Sequence, residues 1–417
     1  MKLAKATPFS FLERPNLLPS AVYRWLLSRV SPRVTHGQLH LQLPEGKTVT
    51  LGQNPGPQAF VQLHSYAPLK RLMFGGLTGW AESYMAGEWD SRDITGLIAW
   101  AAENEPSLNP LTQLNGLKQW SDNLFHRKNA NSREGSQKNI SFHYDLGNDF
   151  YRLWLDDTMT YSAALFDEKT QGTHDRSPNL VAAQHAKNAR ILELMELKGK
   201  DKVLEIGCGW GGFMRQCAAT TDASIEGITL SHEQLAYAQE KIHQLGLDER
   251  CHAMHKDYRD LDKTYDAIAS IEMFEAVGEE NWKSYFDTVK RSLKADGSAV
   301  LQVITIDESR FDTYRETADF IQRYIFPGGM LPSIPAFKTA AEKSGLELVH
   351  YELFGQDYAT TLKLWRQRFE EVWPSIEAQG FDERFRRLWR YYLCYCEGGF
   401  LSGSINVGLY KLKHQSA

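Results

Sequence analysis

Long apolar runs are missing from this sequence. No segment of its 417 residues approaches the ~20 apolar residues that a membrane-spanning helix needs. The start of the chain (MKLAKATPFSFLERPNLLPS) has neither an uninterrupted apolar region nor a small-residue cleavage site, so no secretory leader is expected. Cysteine is scarce: Cys208, Cys217, Cys251, Cys394 and Cys396. An odd number in a long chain argues against a secreted disulfide framework. Cys394-Tyr-Cys396 lacks the CxxC spacing of zinc and redox sites, and no second pair exists, so no metal site is expected. A basic excess is also absent. The formal net charge of −5 argues against a dedicated nucleic-acid binder. A cytoplasmic protein is expected, one that meets lipid only from the surface.

What is present reads as a folded chain of more than one domain. Its length exceeds what one hydrophobic core normally serves. Aromatic residues make up 12%, with 11 Trp, which implies large cores or a site that handles an apolar or cationic species. Residues 1–114 read as a small α+β module. Lys2, Lys5, Arg14, Arg24, Arg29 and Arg33 face one acid, Glu13, across residues 1–35. Ala21 to Val30 reads as a short helix with Trp25 beside basic residues. Such a helix either lies on an anionic bilayer or packs on its own domain. Residues 36–65 alternate as strands joined by a Pro44-Glu45-Gly46 turn, and residues 68–104 read as helical. Residues 115–140 are polar, turn-rich and basic, and read as a linker able to touch anionic headgroups. From residue 141 to 417 the chain reads as a catalytic domain. Its strands KVLEIG, ASIEGIT, CHAMHKD, YDAIASI and SAVLQVIT are separated by helical segments, which predicts an α/β, doubly wound parallel sheet.

Lys202 to Gly212 (KVLEIGCGWGG) is the most informative short run. Gly207, Gly209 and Gly211 let the chain turn tightly and bring backbone N–H groups close to a ligand. Glu205 precedes the first glycine, and the acid-x-Gly-x-Gly form is typical of S-adenosylmethionine (SAM) methyltransferases. The second strand ends Gly227-Ile228-Thr229-Leu230-Ser231 without the acid that grips the ribose in nicotinamide dehydrogenases. Thr229 and Gln234 offer polar groups there instead.

The segment HYDLGNDFYRLWLDDTMTYSAALF (143–166) resembles the cyclopropane-fatty-acyl-phospholipid synthase family of SAM-dependent mycolic and fatty acid methyltransferases. So do GITLSHEQLAYAQ (227–239), IEMFEAVG (271–278), FIQRYIFPGGMLP (320–332) and DYATTLKLW (357–365). The resemblance runs from about residue 135 to the C-terminus. It implies a Rossmann-like SAM-methyltransferase sheet, with Tyr161 and Ser162 at the cofactor's carboxylate end and Gly207 and Gly209 on the glycine loop. Thr229, Leu230 and Gln234 fall near the ribose, and Tyr258 beside the adenine. The family also holds a bicarbonate ion as base. Of its ligands, Glu275, the Ile304 amide and Tyr358 are matched, while Ala163 stands for a Cys and Gln302 for a His. A second carboxylate, Glu272, lies three residues before Glu275 and would share its face on a helical turn. Glu275, Tyr358, Gln302 and Glu272 are the candidate catalytic residues.

The reaction implied is transfer to the cis double bond of an unsaturated phospholipid acyl chain. Attack by an alkene leaves a carbocation, and the position of the base then decides the product. Proton loss from the new methyl group closes a cyclopropane, the outcome the family most directly implies. Loss from a chain carbon gives a methyl- or methylene-bearing chain instead. Methylation of a soluble natural product would proceed without vesicles, and a non-catalytic lipid-binding scaffold would transfer no methyl group. The implied partners are membrane acyl chains and an anionic membrane surface, reached peripherally from the cytoplasmic side of the inner membrane. Self-association would add lipid contacts. The aromatic run Trp389 to Phe400 either lines an acyl tunnel or forms core.

Overall fold

The structure is a computed structural model and describes residues 20–112, 146–167 and 178–416. The linker at 115–140 and the basic residues before position 20 lie outside the described residues. The chain divides into two units, Met1–Asn115 and Gly116–Ala417.

In the first unit, α1 (Ser20–Val30) precedes β1 (Gln38–Gln42), β2 (Thr48–Leu51) and β3 (Gln58–Leu63). Then come α2 (Ala67–Met85), β4 (Trp89–Asp90) and α3 (Ile94–Thr112). The sheet order is β2-β1-β3-β4. Gly46, at φ 85°, makes the turn expected between β1 and β2. Alternate residues Ala59, Val61 and Leu63 of β3 are buried, giving the period-2 pattern of a sheet covered on one face. The helical run expected over 68–104 is instead two helices. Gly87 (φ 73°) ends α2, and Trp89 is drawn into the core by hydrogen bonds from its Nε1 to the Trp80 carbonyl (3.1 Å) and Ser83 Oγ (3.0 Å). Residues 89–90 therefore pair with β3.

The second unit begins its described part with α4 (Asn148–Trp154) and α5 (Leu180–Met195). Next are β5 (Lys202–Ile206), α6 (Gly212–Thr220), β6 (Ser224–Thr229), α7 (His232–Gln244), β7 (Cys251–His255), β8 (Tyr265–Ile271), α8 (Trp282–Ser292) and β9 (Leu293–Ile306). Then follow α9 (Glu308–Arg315), α10 (Phe320–Tyr324), α11 (Ile334–Lys343) and β10 (Leu346–Leu353). The chain closes with α12 (Gly355–Glu371), α13 (Trp373–Glu377), α14 (Glu383–Leu401) and β11 (Ile405–His414). The seven-stranded sheet has the order β10-β11-β9-β8-β5-β6-β7. β9, β8, β5, β6 and β7 pair in parallel, as the β-α alternation predicts. β11 inserts antiparallel between β9 and β10, so the sheet is mixed rather than wholly parallel.

The strand order reverses at β5, with β6 on one side and β8 on the other. In open α/β sheets that reversal opens a crevice at the carboxyl ends of the strands. Gly207, Leu230 and Glu272 each follow directly on one of these strand ends. Beneath the crevice, Phe274, Phe286, Phe337 and Tyr410 pack edge-to-face and tilted, with centroids 4.9–5.4 Å apart. Phe337 is fully buried at the centre of this cluster. Phe337→Ala is expected to cost about 3–5 kcal/mol of stability, read from chemical denaturation.

Candidate active site

The glycine loop is shaped by conformation before chemistry. Gly207, Gly209 and Gly211 all have positive φ, at 82°, 51° and 78°. A Cβ on Gly207 would lie 2.7 Å from Met273 Cγ. The amides of Gly207 and Cys208 both reach the Ile228 carbonyl at 2.9 Å, which ties the loop to the end of β6. Glu205 is buried under the loop, where burial pushes its carboxyl up to about 8 against the pull of Lys187. Its Oε2 has no hydrogen-bond partner. On the far side, Thr229 Oγ1 donates to Gln234 Oε1 (3.0 Å) and accepts from the Ser231 amide (3.1 Å). The Leu230 carbonyl faces His255 Nε2 at 3.1 Å. Tyr258 opens a 3-10 turn, with the Arg259 guanidinium 5.3 Å over its ring.

The segment Tyr161 to Phe166 has no regular structure of its own, yet it is fixed along its length. Tyr161 Oη pairs with Tyr392 Oη at 2.7 Å, and its ring packs against Tyr151, Trp154 and Trp365. Ser162 accepts from Lys187 Nζ through its hydroxyl (3.1 Å) and from Gln184 Nε2 through its carbonyl (2.8 Å). The Ala164 amide donates to Thr361 Oγ1 (3.2 Å), and the Phe166 amide donates to Asp357 Oδ2 (3.0 Å). Asp357, Tyr358 and Thr361 all lie near the start of α12, so the DYATT motif grips this segment with one turn of helix.

The Ala163 amide donates to Glu272 Oε1 at 2.8 Å. Gln302 Nε2 donates to the same oxygen at 2.7 Å, and Tyr358 Oη donates to Oε2 at 2.6 Å. Ala163 and Gln302 thus meet at one carboxylate, which belongs to the chain. The expected helical turn carrying Glu272 and Glu275 is not formed. Glu272 sits at φ 49°, in the left-handed region that favours glycine, and its amide donates to the Gln302 carbonyl at 2.9 Å. This strand-edge bond holds Glu272 outside the short 3-10 turn Phe274–Ala276 that carries Glu275. A non-glycine residue there costs on the order of 1 kcal/mol or more, which the three donors on its side chain offset.

Glu275 accepts from the Ile304 amide at 2.5 Å through Oε1, while its Oε2 is buried without a partner. Burial first, and the neighbouring Glu272 carboxyl second, push Glu275 up to about 8. Burial also raises Glu272, but Tyr358, Ala163, Gln302 and Lys187 all favour its ionised form. Of the two carboxyls, Glu272 is therefore the one whose surroundings favour the anion more.

Sequence reasoning missed Lys187, Gln184, Tyr392, Asp357 and Thr361. Asp357 and Thr361 lie within the DYATTLKLW motif and Tyr392 within the aromatic run Trp389 to Phe400, whereas Lys187 and Gln184 are joined to the site only by the fold. The run Trp389 to Phe400 belongs to α14. It is largely buried, and two of its rings reach the site: Tyr392 at Tyr161, and Phe400 tilted against Tyr358 with centroids 4.5 Å apart.

A glycine loop after β5, polar groups at the end of β6 and an aromatic box beside the crevice define a SAM-dependent methyltransferase. The family profile for mycolic acid cyclopropane synthetase matches residues 131–409, and the chain belongs to that family. It is 36% identical over 389 residues to the tuberculostearic acid methyltransferase UfaA1 of Mycobacterium tuberculosis, covering 93% of this chain and 90% of the relative. It is 37% identical over 340 residues to the cyclopropane-fatty-acyl-phospholipid synthase of Escherichia coli K12, covering 81% and 83%. Among solved structures, the cyclopropane synthase MmaA2 from Mycobacterium tuberculosis superposes with a TM-score of 0.60 at 30% identity, over 66% of this chain and 97% of that one. The protein is a SAM-dependent methyltransferase of the cyclopropane-fatty-acyl-phospholipid synthase type, acting on fatty acyl chains.

The residues fit the cofactor. The loop at Gly209 leaves space where a Cβ would stand 4.0 Å from Gln234 Nε2, and Glu205 Oε2 is a buried acceptor in want of a donor. Gly207→Ala would strain φ and collide with Met273. It is expected to weaken SAM binding by about tenfold or more, measured by calorimetry.

Proposed function

We propose that this protein transfers a methyl group to the double bond of an unsaturated phospholipid acyl chain, with Glu272 as the proton acceptor, and releases a methyl- or methylene-bearing chain without a ring. The single observation that carries this reading is the Glu272 carboxylate held by Ala163 N, Gln302 and Tyr358. Tyr161, Ser162, Glu205, Gly207, Gly209, Thr229, Leu230, Gln234 and Tyr258 hold the cofactor. When bound, SAM supplies an electrophilic methyl group. The chain's own residues do the rest. Aromatic faces at Tyr358, Phe400 and Tyr161 shield the acyl cation from water and favour its charge.

Bicarbonate does not suit this donor set. Tyr358 is engaged by Glu272, and the Ile304 amide by Glu275. No thiol stands at Ala163 and no imidazole at Gln302 to complete an anion site. Glu272 brings an equivalent carboxylate covalently. Its Oε2 accepts one hydrogen bond and keeps a lone pair for a proton. Glu275, pushed up to about 8 by burial and by Glu272, tends to hold its proton and so adds little like charge beside it. The ring-free product is favoured because the ring-forming ligand pattern is broken and because the relative aligned over 93% of this chain is named a methyltransferase. Cyclopropane closure is the second reading, favoured by the 37% identity to a cyclopropane synthase.

Lipid is met from an anionic membrane surface. In the first unit Trp25 is 55% exposed, and the Arg29 guanidinium lies 5.0 Å over its ring. Arg24 and Arg33 are exposed on the same short segment. Aromatic and basic groups together suit the interface of an anionic bilayer. Among the described residues no helix is long and apolar enough to cross a membrane.

The test is incubation with SAM bearing a labelled methyl group and vesicles of unsaturated phosphatidylglycerol. Label is expected in the fatty acids, and none in them would overturn the reading. Proton NMR of the product decides its form, because upfield cyclopropane protons would replace the ring-free assignment by ring closure. Glu272→Gln keeps the acceptor oxygen for Ala163 and Gln302, while the Tyr358 hydroxyl can turn to accept from the new amide. It is expected to lower kcat by about 10²-fold or more with SAM affinity nearly unchanged. Because Glu272 acts as an anion with its proton affinity raised by burial, kcat should fall as pH drops through its titration.

A further inference from the structure

Lys187 on α5 has no solvent exposure. Burying an ammonium costs several kcal/mol unless opposing charges and hydrogen bonds offset it. Leucine or methionine would fill the same volume without that cost. The surroundings of Lys187 show what the charge meets. Its Nζ donates to Ser162 Oγ at 3.1 Å, and Gln184, one turn earlier and equally buried, donates to the Ser162 carbonyl at 2.8 Å. One face of α5 therefore holds both oxygens of Ser162. The next residue, Ala163, passes this placement on through its amide to Glu272.

We propose that Lys187 is a positioning residue of the methyl transfer, orienting the Ser162 hydroxyl toward the cofactor and supplying the buried positive charge that faces Glu272. This rests on the reading of Glu272 as proton acceptor. An oxygen lone pair of Ser162 is taken up by the ammonium, so the hydroxyl hydrogen points elsewhere. It becomes a donor for an anionic group, which in the proposed function is the cofactor's carboxylate. The ammonium also acts on Glu272 through space, favouring its ionised form.

The charged and titratable groups around Glu272 come from several elements. Lys187 faces it from α5, Glu275 from the 3-10 turn, Tyr358 from α12 and Cys396 from α14. Lys187 in turn faces Glu205 at the end of β5 and Asp156 just after α4. Glu205 lies near Arg215 of α6, and Asp156 near Arg368 of α12. Burial draws Lys187 down to about 8 in spite of Glu272, Glu205 and Asp156, so the ammonium persists at neutral pH. The sign follows from Glu272. It accepts a proton only when ionised, and loss of a nearby cation makes ionisation harder. Removing Lys187 therefore moves the acid limb of kcat to higher pH.

The test is steady-state kinetics of the full chain with SAM and unsaturated phosphatidylglycerol vesicles, as a function of pH. Lys187→Met is expected to raise KM for SAM about tenfold and to shift the acid limb of kcat upward by about one pH unit. Ser162→Ala should raise KM similarly and leave the acid limb in place, and Lys187→Arg should restore the limb toward the wild-type position. A merely structural role would lower Tm and the active fraction while both KM and the limb stayed put. An unmoved acid limb in Lys187→Met, or a wild-type KM in Ser162→Ala, overturns the proposal. Should Lys187→Met fail to fold, Ser162→Ala still decides the positioning role and Lys187→Gln the charge. An inactive wild type would sink the acyl-transfer reading, and an active Glu272→Gln the choice of base. Either failure is distinct from failure at Lys187.

Discussion

The site depends on where one buried carboxylate finds its donors. Glu272 has to be satisfied on both oxygens, since a buried anion without partners is too costly to keep. Its donors come from three separated parts of the chain: the Ala163 amide, Gln302 on β9 and Tyr358 on α12. Satisfying it draws the irregular Tyr161–Phe166 segment against the sheet. In the proposed function that same segment also carries groups for the cofactor, so cofactor and base would be registered to each other through one residue step, Ser162 to Ala163. The strained backbone at Glu272 is tolerated because its surroundings leave it no other place.

Charge is handled sparingly in this interior. Asp156, Glu205, Glu272 and Glu275 are buried acids; Lys187 acts on the first three, with Arg368 also acting on Asp156 and Arg215 on Glu205. With so few cations, protons must supply the balance. Burial pushes Glu205 and Glu275 up to about 8, while Glu272, raised as well, has the densest hydrogen bonds favouring its ionised form. A cationic cofactor enters a region already poised to welcome positive charge. An acyl cation formed next to it benefits from the same field.

The parts of the site visible in the sequence were the local ones. Glu205 to Gly211 announce themselves because the acid, the glycines and the strand before them lie within a few residues. The alternation of KVLEI, SIEGIT and YDAIASI with helices gave the parallel part of the sheet away. Residues 405–414 fold back between β9 and β10, a pairing across a hundred residues that no local pattern reveals. Glu272 looked like the partner of Glu275 on one helical turn, since three residues' spacing says so. The bond from its amide to Gln302 overrode that spacing. Ala163 and Gln302 read as losses by residue type. The Gln302 amide is a donor by residue type alone, but only the fold shows that the Ala163 backbone amide joins it on Glu272. Nothing local in the sequence around Lys187 ties it to the site.

Glu272 has a further consequence as a covalent part of the chain. An enzyme that borrows its base from solution inherits the fluctuations of that pool, and dissolved carbon dioxide varies with respiration, aeration and acidity. A carboxylate fixed within the chain has an effective concentration that no culture condition can dilute. With Glu272 in this role, lipid modification is uncoupled from the gas balance of the cell.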